Sequence, residues 1–179
     1  FKGSLSVNGQ NMEISVSRSI TENAGTWVVT DVAKMPMGEM FDSVVLEKGT
    51  LIPRNRTVKQ GPATIEMAFK DGKASGSMAM GGAPKPFETA LGGELFADGS
   101  GAHDSLAHLP LADGYSVIFR NFDIQKQKVT LKQLKVLGSE DVTVAAGTFK
   151  AWKAEVTSAE GEPGATQLWV DSASLKVLK

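Results

Sequence analysis

The sequence predicts a mainly β protein whose strands form one antiparallel sheet, either a curved sheet or a half-barrel of about ten strands with one short helical segment. Apolar and polar residues alternate along most of the chain, which is the period of a half-buried strand. Turns that contain glycine interrupt this alternation every ten to fifteen residues or so, as expected for consecutive hairpins. Only one short segment departs from the pattern and favours a helix.

The size and composition favour one folded domain. The chain has 179 residues, 41% hydrophobic and 22% charged, which is ordinary for a globular protein with a real core. We therefore expect a single β domain over residues 1–179. Because the chain begins and ends within predicted strands, the last at residues 175–179, we expect a trimmed chain or one module of a longer protein.

Two dipeptides predict tight hairpins, Asn8-Gly9 and Asp71-Gly72, since these residue types tolerate the positive φ of two-residue turns. Asp71-Gly72 is the stronger of the two, because the residues on both sides alternate cleanly. Apolar or small side chains would share one face of this hairpin: Ile65, Met67, Phe69, Ala74, Gly76, Met78 and Met80.

The same alternation predicts the other strands, at residues 12–16, 27–33, 41–46, 51–59, 115–122, 128–137, 149–156 and 167–170. A turn is expected at residues 23–25, and the Gly- and Pro-containing runs 80–86 and 159–163 are expected to be loops. Between Leu131 and Leu134 the apolar phase slips by one residue, which predicts a β-bulge near Lys132 and Gln133.

The segment 95–111 favours one short helix. Asp104 or Ser105 is expected to cap its N-terminus, and Pro110 is expected to end it.

Charge and cysteine content exclude several function classes. Nineteen Lys and Arg balance twenty Asp and Glu, for a net charge of −1 with no basic block, so nucleic acid is not an expected partner. The absence of cysteine excludes disulfides, thiolate metal sites and a cysteine nucleophile. No run approaches the eighteen or so apolar residues of a membrane span.

No pattern of residues predicts catalysis, a metal or a cofactor. His103 and His108 with Asp104 between them concentrate metal-ligand types, but a zinc site normally needs at least three protein ligands and no third partner is evident. Ser100, His103 and Asp104 have the residue types of a hydrolase triad, yet no Gly-x-Ser-x-Gly elbow is present. We expect no enzyme activity.

The methionines are the candidate ligand-binding residues, because flexible thioether side chains suit apolar surfaces that adapt to varied partners. They are Met35, Met37, Met40, Met67, Met78 and Met80. Methionine at alternating strand positions is also common in a packed core, so a core role remains the alternative.

The stretch 138–156, GSEDVTVAAGTFKAWKAEV, followed by the Trp-Val-Asp strand at residues 169–171, resembles a bacterial periplasmic domain family of unknown function. Residues 104–106 and 109–111, with Gly114, look like its middle segment. The resemblance implies a curved antiparallel sheet similar to that of the envelope lipoprotein carriers, whose concave face binds acyl chains, and a location in the periplasm or cell envelope. It also implies a tight turn at Gly147.

Two functions follow as expectations. The first is a non-catalytic envelope module that binds an apolar ligand, such as an acyl chain, or a lipidated protein on its concave face. The second is a structural or protein-interaction domain whose core is filled by its own side chains. An open cavity of several hundred Å³ would favour the ligand binder.

Overall fold

The computed structural model describes residues 2–7, 10–35 and 38–179, and these form two compact units. The first unit comprises the described residues of 1–94 together with Asp98–Gly101, and the second comprises Leu95–Ala97 and Ala102–Lys179. The predicted turn at Asn8-Gly9 lies outside the described residues. The interpretation of residues 1–179 as one domain stays a prediction.

The first unit is an eight-stranded antiparallel meander in which each strand pairs with the next one along the chain. Its strands are β1 (Lys2–Val7), β2 (Gln10–Asn23), β3 (Thr26–Met35), β4 (Gly38–Glu47), β5 (Pro53–Gln60), β6 (Ala63–Lys70), β7 (Lys73–Met80) and β8 (Lys85–Ala90). A single 3-10 turn, Gly99–Gly101, completes the unit.

The second unit joins a short helix to a four-stranded antiparallel sheet of order β12-β11-β10-β9. Its elements are α1 (Ala102–Ala107), β9 (Ser116–Asp123), β10 (Lys128–Val144), β11 (Gly147–Ser158) and β12 (Ala165–Asp171). In the part of the chain that is described, no helix is long and apolar enough to cross a membrane.

The mainly β, antiparallel fold with one short helix is confirmed, but the single sheet of about ten strands is wrong. Twelve strands form two sheets, and neither sheet closes on itself within the described residues. Alternation predicts hairpins, but it does not show where a ladder of hairpins stops. Strand β8 was not predicted, because Pro86 favours a loop. Within the described residues β8 pairs with β7 alone, and proline is tolerated in an edge strand.

The predicted bulge near Lys132 and Gln133 is wrong in position. Both residues keep regular register with both neighbouring strands, and the shift occurs between Val136 and Gly138. Leu131 lies on the outer face of β10, while Lys132 occupies a core-facing position in line with buried Leu134. The apparent slip was therefore a lysine at a core-facing position, not an extra residue.

One predicted turn is confirmed, whereas the predicted cap of the helix is wrong. The Asp71-Gly72 turn is confirmed, with φ of 52° and 72° at the tip of the β6–β7 hairpin, and Gly147 has φ of 132° at the start of β11. Asp104 and Ser105 lie inside α1 and not at its cap, since the helix begins at Ala102 after the 3-10 turn.

Residues 175–179 do not form the strand that was predicted there. Val177 makes only an isolated bridge to Val170, and Leu178 donates its backbone N–H to the carbonyl of Trp169. The last strand of the second sheet is β12.

Each unit has its own core. In the first unit Val29, Val44 and Leu46 are buried, and Trp27 and Leu51 pack against them. In the second, side chains of α1 meet the core-facing side of all four strands, and the buried members are Ala97, Leu106, Ala107, Phe119, Leu134, Val136, Ala154, Leu168 and Val170.

Candidate functional site

A cluster of charged side chains in the first unit holds residues 98–101 on the sheet. Arg56 Nη1 donates to Asp98 Oδ1 at 2.5 Å, and its Nε and Nη2 donate to the two oxygens of Asp42 at 3.0 and 2.7 Å. The side chain of Asp98 is only 1% exposed. Burial disfavours the charged guanidinium, but the hydrogen bond to Asp42 and the two carboxylate charges outweigh it and raise the pKa of Arg56.

Arg18 and Gly101 also hold residues 98–101 against the sheet. Arg18 pairs with Asp31 through two hydrogen bonds of 2.8 and 2.7 Å and donates a third, of 3.0 Å, to the carbonyl of Ser100. A Cβ on Gly101 would lie 2.8 Å from side-chain atoms of Val44 and Leu46, so a larger residue there would force these buried side chains to shift. The cluster is structural, since its charges satisfy one another.

The Ser100 hydroxyl, considered above as a triad nucleophile, belongs to the same attachment. Its Oγ donates to the carbonyl of Val29 at 2.9 Å, and the residue is 6% exposed. This hydroxyl fixes the loop to strand β3.

The residues of the predicted methionine site lie along one face of the first sheet and differ in exposure. By strand register, Met35, Met40, Met67, Met78 and Met80 share the face of Val29 and Val44, whereas Met37 lies outside the described residues. Met67 is buried, three are half-buried, and Met80 is 71% exposed. Their role in ligand binding stays a prediction.

The second unit contains a cleft of about 400 Å³ between α1 and the core-facing side of its sheet. The apolar part of its lining, here called the floor, comes from five separate stretches of the unit: Ala97, Ala102, Leu106, Phe119, Val156 and Leu168. The ring of Phe119 is held edge-on to Phe96, with centroids 6.1 Å apart. Residues 163–165, where the loop after β11 leads into β12, add to the lining.

The polar part of the lining, here called the rim, consists of His103, Asn121, Lys132, Thr157, Ser158 and Thr166. Asn121 is fixed by a hydrogen bond of 2.9 Å from its Nδ2 to the carbonyl of Ala97. Lys132 lies opposite Phe119 on β9 and opposite Ser158 on β11, so these three side chains share one face of the sheet. The arrangement can hold a small molecule that has both an apolar and a polar part.

The two histidines do not form a metal centre. His108 Nδ1 donates to the carbonyl of Asp104 at 2.8 Å, one helical turn earlier, while His103 lines the cleft. Among the described residues, no group of three or more His, Cys, Asp or Glu lies close enough together to hold a metal ion.

Sequence reasoning missed the cleft because its walls come from α1, four strands and a loop that are distant in the chain. One signal was present: the polar residue Lys132 interrupts the apolar positions of β10, and the interruption was interpreted as a bulge. A lysine on the buried face of a strand also marks a place where the core is open.

Comparison with known proteins gives a family and no function. The model of a family described as protein of unknown function, DUF3108, matches residues 3–179. No curated protein and no solved structure matches the chain significantly, so the similarity to lipoprotein carriers stays a prediction. Because the match covers nearly the whole chain, this protein belongs to the DUF3108 family.

Proposed function

We propose that this protein is a non-catalytic binding module whose second unit holds a small ligand with an apolar part. The observation that carries the proposal is the cleft of about 400 Å³ with an apolar floor and a polar rim. Ligand sites in proteins have this character, with volumes of about 300 to 1,000 Å³ and a few placed polar groups.

The cleft bears on the alternative of a self-filled structural domain. In such a domain the protein's own side chains would fill this space, whereas the cleft between α1 and the sheet measures about 400 Å³. The apolar residues in its lining favour a ligand with an apolar part.

We expect the ligand to lie in the second unit and not on the methionine face of the first unit. Met67 is already 4% exposed and packed, so it has little surface left for a ligand. A location in the bacterial periplasm or cell envelope is part of the proposal, and its support is the resemblance of residues 138–156 and 169–171 to a periplasmic family.

Native mass spectrometry of the protein purified from cells, before and after organic extraction, tests the proposal. We expect an adduct of lipid-like mass that extraction removes and that an added fluorescent fatty acid replaces. The variant Val156→Phe, which fills the cleft, is expected to lose both the adduct and the uptake. Ile118→Phe is the control, because Ile118 is 57% exposed on the outer face of β9.

An unmodified mass combined with no uptake of the fatty acid by the folded wild-type protein would refute the proposal. Equal uptake by the wild-type protein and by a folded Val156→Phe variant would place binding elsewhere, with the methionine face as the next candidate.

A further inference from the structure

Lys132 stands in a row of buried positions on β10. Thr130, Leu134 and Val136 flank it on the core-facing side and are 3%, 0% and 2% exposed, while Lys132 is half-buried. Lysine is almost never buried unless its charge is paired. Its ammonium therefore needs either water or an anion at the point where the core opens into the cleft.

No carboxylate in the described part of the chain forms an ion pair with this lysine. Two acids lie in the loop that follows β11, and both have other partners. Glu160 Oε2 accepts a hydrogen bond of 3.1 Å from the backbone N–H of Leu131. Glu162 lies 3.4 Å from the ammonium of Lys126.

The cleft as a whole carries basic and neutral groups. None of the described residues that line it is acidic, and its ionisable members are Lys132 and His103. The hydroxyls of Ser158 and Thr166 stand on the same core-facing side of the sheet as Lys132. An anion at the rim would pair with a cation, and hydrogen bonds of that kind are about twice as strong as neutral ones.

We infer that the ligand of the cleft is an amphipathic monoanion, with an acyl chain on the apolar floor and a carboxylate paired with the ammonium of Lys132. This inference rests on the proposed function and adds the charge of the ligand and the residue that recognises it. The cleft volume of about 400 Å³ lies within the range of small-molecule sites, so a medium-chain acid is a suitable test ligand.

A lysine at the edge of a core can also play a purely packing role. Its carbon stem then covers apolar surface, here the ring of Phe119 opposite, while the ammonium stays in water. The variant Lys132→Met separates the two roles, because methionine keeps an unbranched apolar stem and removes the charge.

Isothermal titration of the full chain with decanoic acid and with 1-decanol tests the inference. The wild-type protein is expected to bind the acid about tenfold more tightly than the alcohol, as for one charge-assisted hydrogen bond at a half-exposed site. Lys132→Met is expected to lose this preference without weaker binding of the alcohol, and Lys132→Arg to retain it. Lys135→Met is the control, since Lys135 is exposed on the outer face of the same strand.

Equal binding of acid and alcohol by the wild-type protein, or an unchanged preference in Lys132→Met, would overturn the head-group inference and leave the proposed function standing. Binding of neither ligand to the wild-type protein would overturn both.

Discussion

Replacing Arg56 with methionine removes the cation that neutralises two carboxylates in the first unit. Asp98 is 1% exposed and Asp42 is 12% exposed, so the variant removes a hydrogen-bonded cation from two carboxylates that have little access to water. Removing one partner of a buried ion pair destabilises a protein by about 3 to 5 kcal/mol. We expect a loss near 3 kcal/mol, because water can still reach part of Asp42.

Urea denaturation, followed by tryptophan fluorescence, measures this loss. Arg54→Met is the matched control on the same strand, since Arg54 pairs with Glu47 at 2.6 Å but both side chains are about 40% exposed, at 41% and 39%. Its effect is expected to be much smaller, as surface ion pairs contribute little. A loss below about 1 kcal/mol for Arg56→Met would refute the reasoning that this network holds residues 98–101.

Two further predictions concern backbone geometry and pH. Gly76→Ala is expected to lower the urea midpoint, because a Cβ there would lie 1.9 Å from the carbonyl oxygen of Glu66; Gly82→Ala, with open space around its Cβ, is the control, and equal midpoints would contradict this. The hydroxyl of Ser174 lowers the pKa of Asp171, so this carboxylate stabilises the fold above its ordinary pKa and loses that effect as pH falls through the lowered value. Thermal melts should therefore show Asp171→Asn less stable than wild type at pH 7, with a difference that shrinks as pH falls below the ordinary pKa of aspartate. A difference that stays constant with pH would contradict the linkage.

The hairpins were predictable because local chemistry determines them. Asp71 and Gly72 adopt the positive φ that the turn requires, and the alternation beside them places Met67 and Phe69 on the buried face. The division into two sheets was not predictable, since it depends on where pairing stops after β8. A local pattern of residues does not indicate whether a strand has another strand beside it in the sheet.

The cleft was also not predictable from local sequence patterns. Its floor residues each look like ordinary core positions, and an unfilled volume results from how α1 and the sheet meet. The slip at Lys132 was visible in the sequence, but alternation alone cannot separate a bulge from a polar residue on the inner face. The register of β10 against β9 and β11 separates them, because it runs unbroken through Lys132.

The cleft is tested most directly by mapping amide chemical shifts in a two-dimensional NMR titration with decanoic acid. We expect the perturbed amides to cluster on α1, near Lys132 on β10 and at residues 163–166, where the chain enters β12. Perturbations confined to the methionine-bearing strands β3, β4, β6 and β7, or no perturbation at saturating acid, would contradict it.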